Sequence, residues 1–544
     1  MEETTTGQPV VRQRESAWSP LRYAAFRSLW IATVASNVGT WMHDTAASWL
    51  MTSLSRSTIL VALMQTATSL PMLFLALPAG ALADVVDRRR LLLVTQAWML
   101  AAAALLGALT LGGAMSPWLL LGLTFFLGLG TALNTPAWQA TTPDLVPRRE
   151  LAAAVSLGGV ATNIARAIGP ALGGLLVAAV GSGGVFLLNA ASFVAVLAVI
   201  ARWESPERTS VLPAERVWGA IRAGGRYVRH SPEVRAVAAR TLVFIVFASA
   251  LWALLPVLAR HEMNLSATGY GTLLGSLGVG AIAGVAMLPP VRAAVPTDRL
   301  VALGSLLYAA SVAGLAFASI LPLAWVALFA TGLAWITVMP AFNVATQRAA
   351  PDWVRARMLA VYVLVFQGGM ALGSAAWGTV ASHVGVRDAL LLSAGGMALS
   401  VLAGLRWRLA DAESVDVSPS GHWRDPVVSG DPAPDEGPVL ITVEYLVDEA
   451  EAEAFAAAMA GMERVRRRDG AINWGLYRDA AKPGRFVEAF VAESWGEHLR
   501  QHARATVADR EVQGRVRSFH RGAAPPAVDH LINLPVPHHG RTGA

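Results

Sequence analysis

Asn37, Trp41, Asp44 and Ser48 follow one another at intervals of four, three and four residues inside an otherwise apolar stretch. That spacing puts all four on one face of a helix. A carboxylate held away from water takes up a proton more readily than one in solution. Asp44, with His43 beside it, is therefore a candidate proton-binding group. The alternative placement is the outer rim of the helix, where Asp44 is solvated or caps the helix end. Arg166 is the one arginine set well inside an apolar stretch. Ionisable groups at such depth are costly and are functional candidates by default. Arg166 can pair with Asp44, with an anionic substrate, or with a carbonyl or loop carboxylate. Gln65, Asn134, Trp138, Asn163, Asn343 and Gln367 are further candidates for a substrate cavity. Side chains of these kinds also make hydrogen bonds between packed helices.

The scaffold that must hold these residues is written in the hydropathy. The chain has 544 residues, of which 54% are hydrophobic and 15% charged, against about a quarter charged in soluble domains. Twelve apolar segments, each long enough to cross a bilayer, fall near 28–52, 59–83, 91–112, 117–139, 151–179, 184–201, 238–259, 269–289, 298–318, 322–345, 357–382 and 386–405. With a cytoplasmic N-terminus, the inner segments hold Arg12 to Arg27, Arg88 to Arg90, Arg148, Arg149, the arginines from Arg202 to Arg235, and Arg292, Arg299, Arg348, Arg355, Arg357, Arg406 and Arg408. The outer loops hold only Arg56, Arg260 and Arg387. This is the positive-inside pattern over all twelve segments, and it places both termini in the cytoplasm.

The net charge of +6 is spread over short loops, so the partner it suggests is a lipid bilayer and not nucleic acid. No cysteine is present, which excludes disulfides, thiolate catalysis and cysteine-based metal sites. There is no metal-ligand spacing and no phosphate-binding Gly-rich loop, so neither a metal, another cofactor nor ATP is expected. The polar N-terminus lacks the form of a cleavable signal, and the first apolar segment would itself direct insertion.

The expected organisation is a tail (1–25), a first six-helix half (26–201), a cytoplasmic loop (202–236), a second half (237–408), a linker (409–437), a small soluble domain (438–535) and a tail (536–544). The halves echo each other. Pro136-Ala137-Trp138-Gln139, Pro143-Asp144 and Arg148-Arg149 recur as Pro340-Ala341-Phe342-Asn343, Pro351-Asp352 and Arg355-x-Arg357, each at the end of a fourth segment. The C-terminal stretch reads β-α-β-β-α-β, the ferredoxin-like α+β order. Its strands are expected at 439–445, 471–478, 485–493 and 528–532, with helices from Glu449 to Arg468 and from Trp495. His498 and His502 on the second helix either serve an oxygenase-like site or lie on a packing surface.

Several motifs resemble the major facilitator superfamily over residues 26–408. Gly80-x-Leu82-x-Asp84-x-x-x-Arg88-Arg89 is similar to the signature loop of that family, which usually has glycine where Asp87 stands. Gly169-Pro170-x-x-Gly173-Gly174 resembles the antiporter motif of its drug/proton exporters, with Ala165 in place of a glycine. Ser36-Asn37-Val38-Gly39-Thr40-Trp41-Met42 resembles the enterobactin-exporter branch, and the C-terminal stretch resembles dimeric α+β barrel domains, including small antibiotic-biosynthesis monooxygenases. These resemblances imply an all-α carrier of twelve transmembrane helices in two halves, plus the small α+β domain. They imply export of a drug, siderophore or secondary metabolite from the bacterial inner membrane by proton antiport, with a substrate site between the halves. Gly80, Asp84, Arg88 and Arg89 would latch the inward-closed state, with Gly80 allowing two helices to approach closely. The barrel resemblance implies a homodimer through the C-terminal domain. Two other readings stay open: a C-terminal enzyme that modifies the exported metabolite, and an uptake or receptor protein.

Overall fold

The computed structural model describes residues 18–203, 217–409, 416–423, 430 and 432–534. Its membrane part is built from α1 (Ala24–Leu54), α2 (Thr58–Val85), α3 (Arg88–Leu111), α4 (Pro117–Leu145), α5 (Leu151–Arg202), α6 (Val217–His230), α7 (Pro232–Val257), α8 (Ala267–Ala294), α9 (Thr297–Ala316), α10 (Leu321–Arg348), α11 (Asp352–Val384), α12 (Val386–Ser400) and the single turn α13 (Ala403–Arg406). Among the described residues, ten helices are long and apolar enough to cross a membrane. One of them, within α5, is 50 residues long and changes direction at Gly181, where φ is 73° and ψ 167°. A positive φ of that size needs glycine.

The short breaks are set by capping side chains. Ser57, Asp87, Ser116 and Ser266 accept from the backbone N–H of Leu60, Arg90, Leu119 and Gly269, starting α2, α3, α4 and α8. Asp87 thus has a local reason to stand in the charged loop: its Oδ1 lies 2.8 Å from Arg90 N, satisfying one of the free donors at a helix start.

The same pairing of helices occurs twice. α1 packs on α5, α2 on α4 and α3 on α5; correspondingly, α7 packs on α11, α8 on α10 and α9 on α12. The two sets meet through α2 with α11 and α5 with α8. Small residues mediate both meetings. A Cβ added to Gly174 would fall 2.6 Å from Gly271 Cα, and one added to Gly378 would fall 2.4 Å from Ala62 Cβ. These contacts lie toward the end away from the arginine-rich loops. Toward the arginine-rich loops, a Cβ built at Gly80, Gly158 or Gly159 meets no atom within 4 Å among the described residues. Among the described residues Gly80 makes no close helix contact, so the close approach expected there from the sequence is not seen with them.

The segment 202–236 is not a plain loop: α6 fills its second part and α7 begins at Pro232, while 204–216 lie outside the described residues. Likewise, within the N-terminal segment Ser19 bonds Glu150 and Arg22 pairs with Glu150 at 3.3 Å.

The C-terminal domain comprises β1 (Val439–Leu446), α14 (Ala452–Asp469), β2 (Asn473–Arg478), β3 (Arg485–Ala492), α15 (Trp495–Arg504), α16 (Val507–Arg517) and β4 (Ala527–Ile532). The sheet has order β2-β3-β1-β4 and all neighbours are antiparallel. Alternate residues of β1 and β3, including Val439, Ile441, Val443, Phe486 and Phe490, are buried with Phe455, Met459 and Met462 of α14. The second helix expected from the sequence is two helices, divided by a Thr506–Asp509 capping box.

Candidate functional site

A chain of aromatic rings beside Arg166 joins the two halves. The Arg166 guanidinium lies over the Trp41 ring at 5.8 Å. Trp41 neighbours Trp252 at 6.5 Å, Trp252 neighbours Trp335 at 5.6 Å, and Trp335 neighbours Phe366 at 6.2 Å. The chain of rings thus runs from α1 through α7 and α10 to α11. The buried indole N–H of Trp252 has no acceptor among the described residues. Trp252, Trp335 and Phe366 do not stand out in the sequence, because an aromatic residue in an apolar helix carries no spacing that marks it as cavity-facing. Beside Arg166, Asn163 shares a small cavity with Gly278 and Ile336, where α5, α8 and α10 meet.

Asp44 lies one turn beyond Trp41, in a different neighbourhood. Tyr270 of α8 lies beside Ser48 and within electrostatic reach of Asp44. The Tyr270 ring stacks on Trp49 at 5.6 Å, and the Arg260 guanidinium caps the other partner, Trp49, at 4.9 Å. No ion pair joins Asp44 to Arg166 among the described residues; the pairing allowed by the sequence is not made in this conformation. His43 points elsewhere. It is wholly buried against the Phe186 ring at 4.5 Å.

The other cavity candidates separate. The Asn134 carbonyl oxygen accepts from Thr95 at 3.0 Å and from Gln96 at 3.4 Å, so it ties α4 to α3 within one half. Trp138 packs with Leu29, Leu91 and Trp203. Gln65 bonds Ser69 at 3.0 Å along its own helix, and Asn343 accepts from Gln347 at 2.7 Å. Asn37 and Gln367 are half-buried. Neighbouring Gly368 meets Leu73 of α2, which puts this part of α11 at the seam between the halves.

The Gly-Pro-x-x-Gly-Gly segment has a definite packing role. A Cβ at Gly169 would meet Trp41 Cβ at 2.5 Å, and one at Gly173 would meet Met42 Cα at 2.9 Å. Gly174 faces Gly271 instead. One turn of α5 is therefore pressed against α1 on one side and α8 on the other, and only glycine allows both approaches.

In the charged loop, Arg88 pairs with Asp144 at the end of α4 at 3.4 Å. Arg89 donates to the carbonyl of Ile200 at 3.3 Å and to that of Ala201. The loop is thereby bound to two other helix ends of its own half. The side chain of Asp84 lies outside the described residues.

The C-terminal domain is clamped to the arginine-rich end of the second half. Glu497 of α15 pairs with Arg226 of α6 at 3.3 Å and with Arg504 at 2.6 Å. Burial pushes the Glu497 carboxyl up, but the guanidinium groups of Arg504, Arg500 and Arg226 outweigh it and hold the pKa below the usual carboxylate value. Arg504 also covers the Trp353 ring at 4.5 Å, and Trp353 meets Tyr227 edge-on at 5.7 Å. Tyr227 in turn donates to the Ala349 carbonyl at 3.0 Å. Beside the clamp, a cleft of about 1220 Å³ is bordered by Arg348, Asp352, Arg464, Asp509 and Arg515, well away from Arg166.

Residues 15–537 match the family described as transmembrane secretion effector, and the match runs through the C-terminal sheet. A staphyloferrin A transporter of Staphylococcus aureus is 25% identical over 62% of this chain and 84% of its own length. A multidrug efflux pump, Tap, of Mycolicibacterium fortuitum is 26% identical over 70% and 95%. The enterobactin exporter EntS of Shigella boydii is 29% identical over 48% and 62%. In structure, a bacterial homologue of the human lysosomal transporter Spinster, inward-facing and occupied, covers 72% of this chain and 98% of its own, with TM-score 0.57 and 15% identity.

Proposed function

The chain belongs to the transmembrane secretion effector family of major facilitator transporters, and on that premise we propose that it exports a small molecule across the bacterial inner membrane by proton antiport. The proposed carrier has twelve spans, counting α1 and both arms of α5, with its termini and C-terminal domain in the cytoplasm. The two halves rock about the chain of aromatic rings, exposing it to one side at a time. The observation that carries this reading is the close approach of the halves at Gly174–Gly271 and Gly378–Ala62, at the end away from the arginine-rich loops; we read it as the shut end of a carrier whose substrate path opens toward the arginine-rich side.

In this scheme Arg166 and the indoles of Trp41 and Trp252 receive substrate, and Asp44 carries the proton. A guanidinium with no ion pair among the described residues, set among apolar helices, favours an anionic or acidic substrate group. Siderophore transporters and drug pumps are both among the relatives, so either class of cargo is consistent with the family. Asp44 loads a proton when the substrate path faces the proton-rich side and releases it when substrate enters from the cytoplasm. The charged loop moves with the first half as one body, through Arg88–Asp144 and the Arg89 contacts. The C-terminal domain rides on the second half and has a regulatory or dimerising role, not an enzymatic one. A homodimer would use its uncovered sheet face, where Leu531 is 55% and Tyr477 60% exposed.

The test uses inside-out vesicles energised with a proton gradient and a panel of siderophores, dyes and antibiotics. Substrate-dependent proton release that is lost in Asp44→Asn, and substrate binding that is lost in Arg166→Gln, are the expected results. Transport with undiminished proton coupling in Asp44→Asn would remove Asp44 from the mechanism. An absence of any substrate-linked proton flux would overturn the antiport reading.

A further inference from the structure

The interior of the C-terminal domain holds more polar chemistry than a small core needs. Arg466 of α14 and Glu488 of β3 are 6% and 0% exposed. They pair through two bonds of 3.0 and 3.4 Å, and the Trp474 indole donates to Glu488 at 2.9 Å. A buried ion pair is seldom more stable than a well-packed apolar pair of similar volume, so its presence calls for a role beyond folding.

Next to it stands His498, 2% exposed, with the rings of His530 at 4.8 Å and His502 at 4.9 Å. Neither ring nitrogen of His498 and neither polar atom of the buried Gln501 amide makes a well-formed hydrogen bond among the described residues. Burial, and then His502 and His530, push the His498 pKa down to about 3, so this wall is a neutral imidazole.

The space in front of these groups is filled by a residue that belongs to none of the domain's own strands or helices. Trp423 comes from the connecting segment, which is pinned to the domain where Ser420 N donates to the Ala505 carbonyl at 3.0 Å. The Arg466 guanidinium lies 4.7 Å from the Trp423 ring and 4.5 Å from the Phe490 ring. His502 meets Trp423 edge-on at 5.2 Å, and the Trp423 N–H donates to the Gln513 carbonyl oxygen at 2.7 Å.

We propose that this interior is a binding site for a planar, electron-rich aromatic molecule bearing one N–H or O–H donor, an indole or a phenol, and that Trp423 occupies it as an intramolecular stand-in. The class follows from the contacts. A guanidinium face attracts an electron-rich ring. Arg466 is already neutralised by Glu488, so it gives no preference for an anion, and Gln513 offers an acceptor at the ring edge. The orphaned His498 and Gln501 groups supply hydrogen bonds to a ligand larger than the indole now present. Binding of such a ligand expels Trp423 and releases the connecting segment from the domain.

The experiment uses the full-length protein in lipid nanodiscs, with indole and 2-naphthol titrated calorimetrically into wild type, Trp423→Ala and Trp423→Ala/Gln513→Leu. If Trp423 fills the site more than nine-tenths of the time, its removal raises apparent affinity by at least about tenfold. The expected result is one site per chain gained in Trp423→Ala and lost again in the double variant. Equal binding by wild type and Trp423→Ala overturns the proposal. So does a gained site indifferent to Gln513→Leu, since that places the ligand elsewhere, for instance in the substrate path. If Trp423→Ala fails to fold, Trp423→Phe keeps the ring and loses only the Gln513 bond. Tighter indole binding than wild type then supports the site, and unchanged binding overturns it.

Discussion

Replacing Gly174 by valine should act on the conformational balance and leave the folded halves intact. A Cβ at this position falls 2.6 Å from both Ala267 O and Gly271 Cα. Both are backbone atoms, so no side-chain rotation relieves the clash. Ordinary contact requires roughly 3.5 Å or more, so α5 and α8 must separate by about 1 Å at this level. Overpacking of this kind costs about 1–3 kcal/mol. The penalty applies only while the outer ends of α5 and α8 are closed together, so it becomes a shift of roughly 5- to 150-fold in the ratio of the two conformers. The sequence contains no cysteine, so spin labels can be placed without background. Cysteines at Val155 and Val285, exposed 61% and 53% on α5 and α8, report the separation of these two helices. Electron–electron distance measurements should show a long-distance population in the parent and a shorter one in Gly174→Val. Gly173→Ala is the control: its Cβ meets Met42 within the same half, so it should lower thermal stability without moving the distances. An unchanged distance distribution in a folded Gly174→Val protein would refute the assignment of the glycine contact as a conformer-specific closure.

Asp87→Ala removes the cap of α3 and should lower stability by about 1 kcal/mol, seen as a lower midpoint of thermal unfolding with the transport rate per folded molecule unchanged. Arg504→Ala removes both the Glu497 pair and the cover over Trp353; faster protease cleavage between the second half and the domain is the expected outcome, with the membrane helices unaffected. The pH dependence of the domain follows from His498. Its pKa falls from an ordinary value of 6.5 to about 3 on folding, so between these values the unfolded chain binds more protons. Stability is then complete above about pH 6.5 and declines as pH drops toward 3, by at most about 1.4 kcal/mol per pH unit from this group. Hydrogen exchange of the β1 and β3 amides should accelerate over that window, and His498→Phe should flatten the response.

The architecture was legible in the sequence where a single physical effect decides it. Apolar length decides where a chain crosses a bilayer, and the strands of the C-terminal domain, found at 439–446, 473–478, 485–492 and 527–532, were legible for a similarly local reason, since alternating side chains mark a half-buried strand. The site was legible only in part, because facing is a tertiary property. Asn134 and Trp138, four residues apart on one helix face, are cavity candidates by sequence, yet Thr95 and Gln96 of α3 take up the Asn134 carbonyl. Trp252 and Trp335 gave no signal, although they join the two halves beneath Arg166. The same limit explains α6. With alternating arginines and small residues it read as loop, and it becomes a helix because Tyr227 has Trp353 to pack against and Arg226 has Glu497 to pair with. Those partners lie more than a hundred residues away in sequence. A helix whose reason for existing is the domain that rests on it is itself an argument that the C-terminal domain and the second half work as one body. It follows that whatever ligand or oligomeric contact the domain accepts is delivered to α11, one of the helices through which the two halves meet.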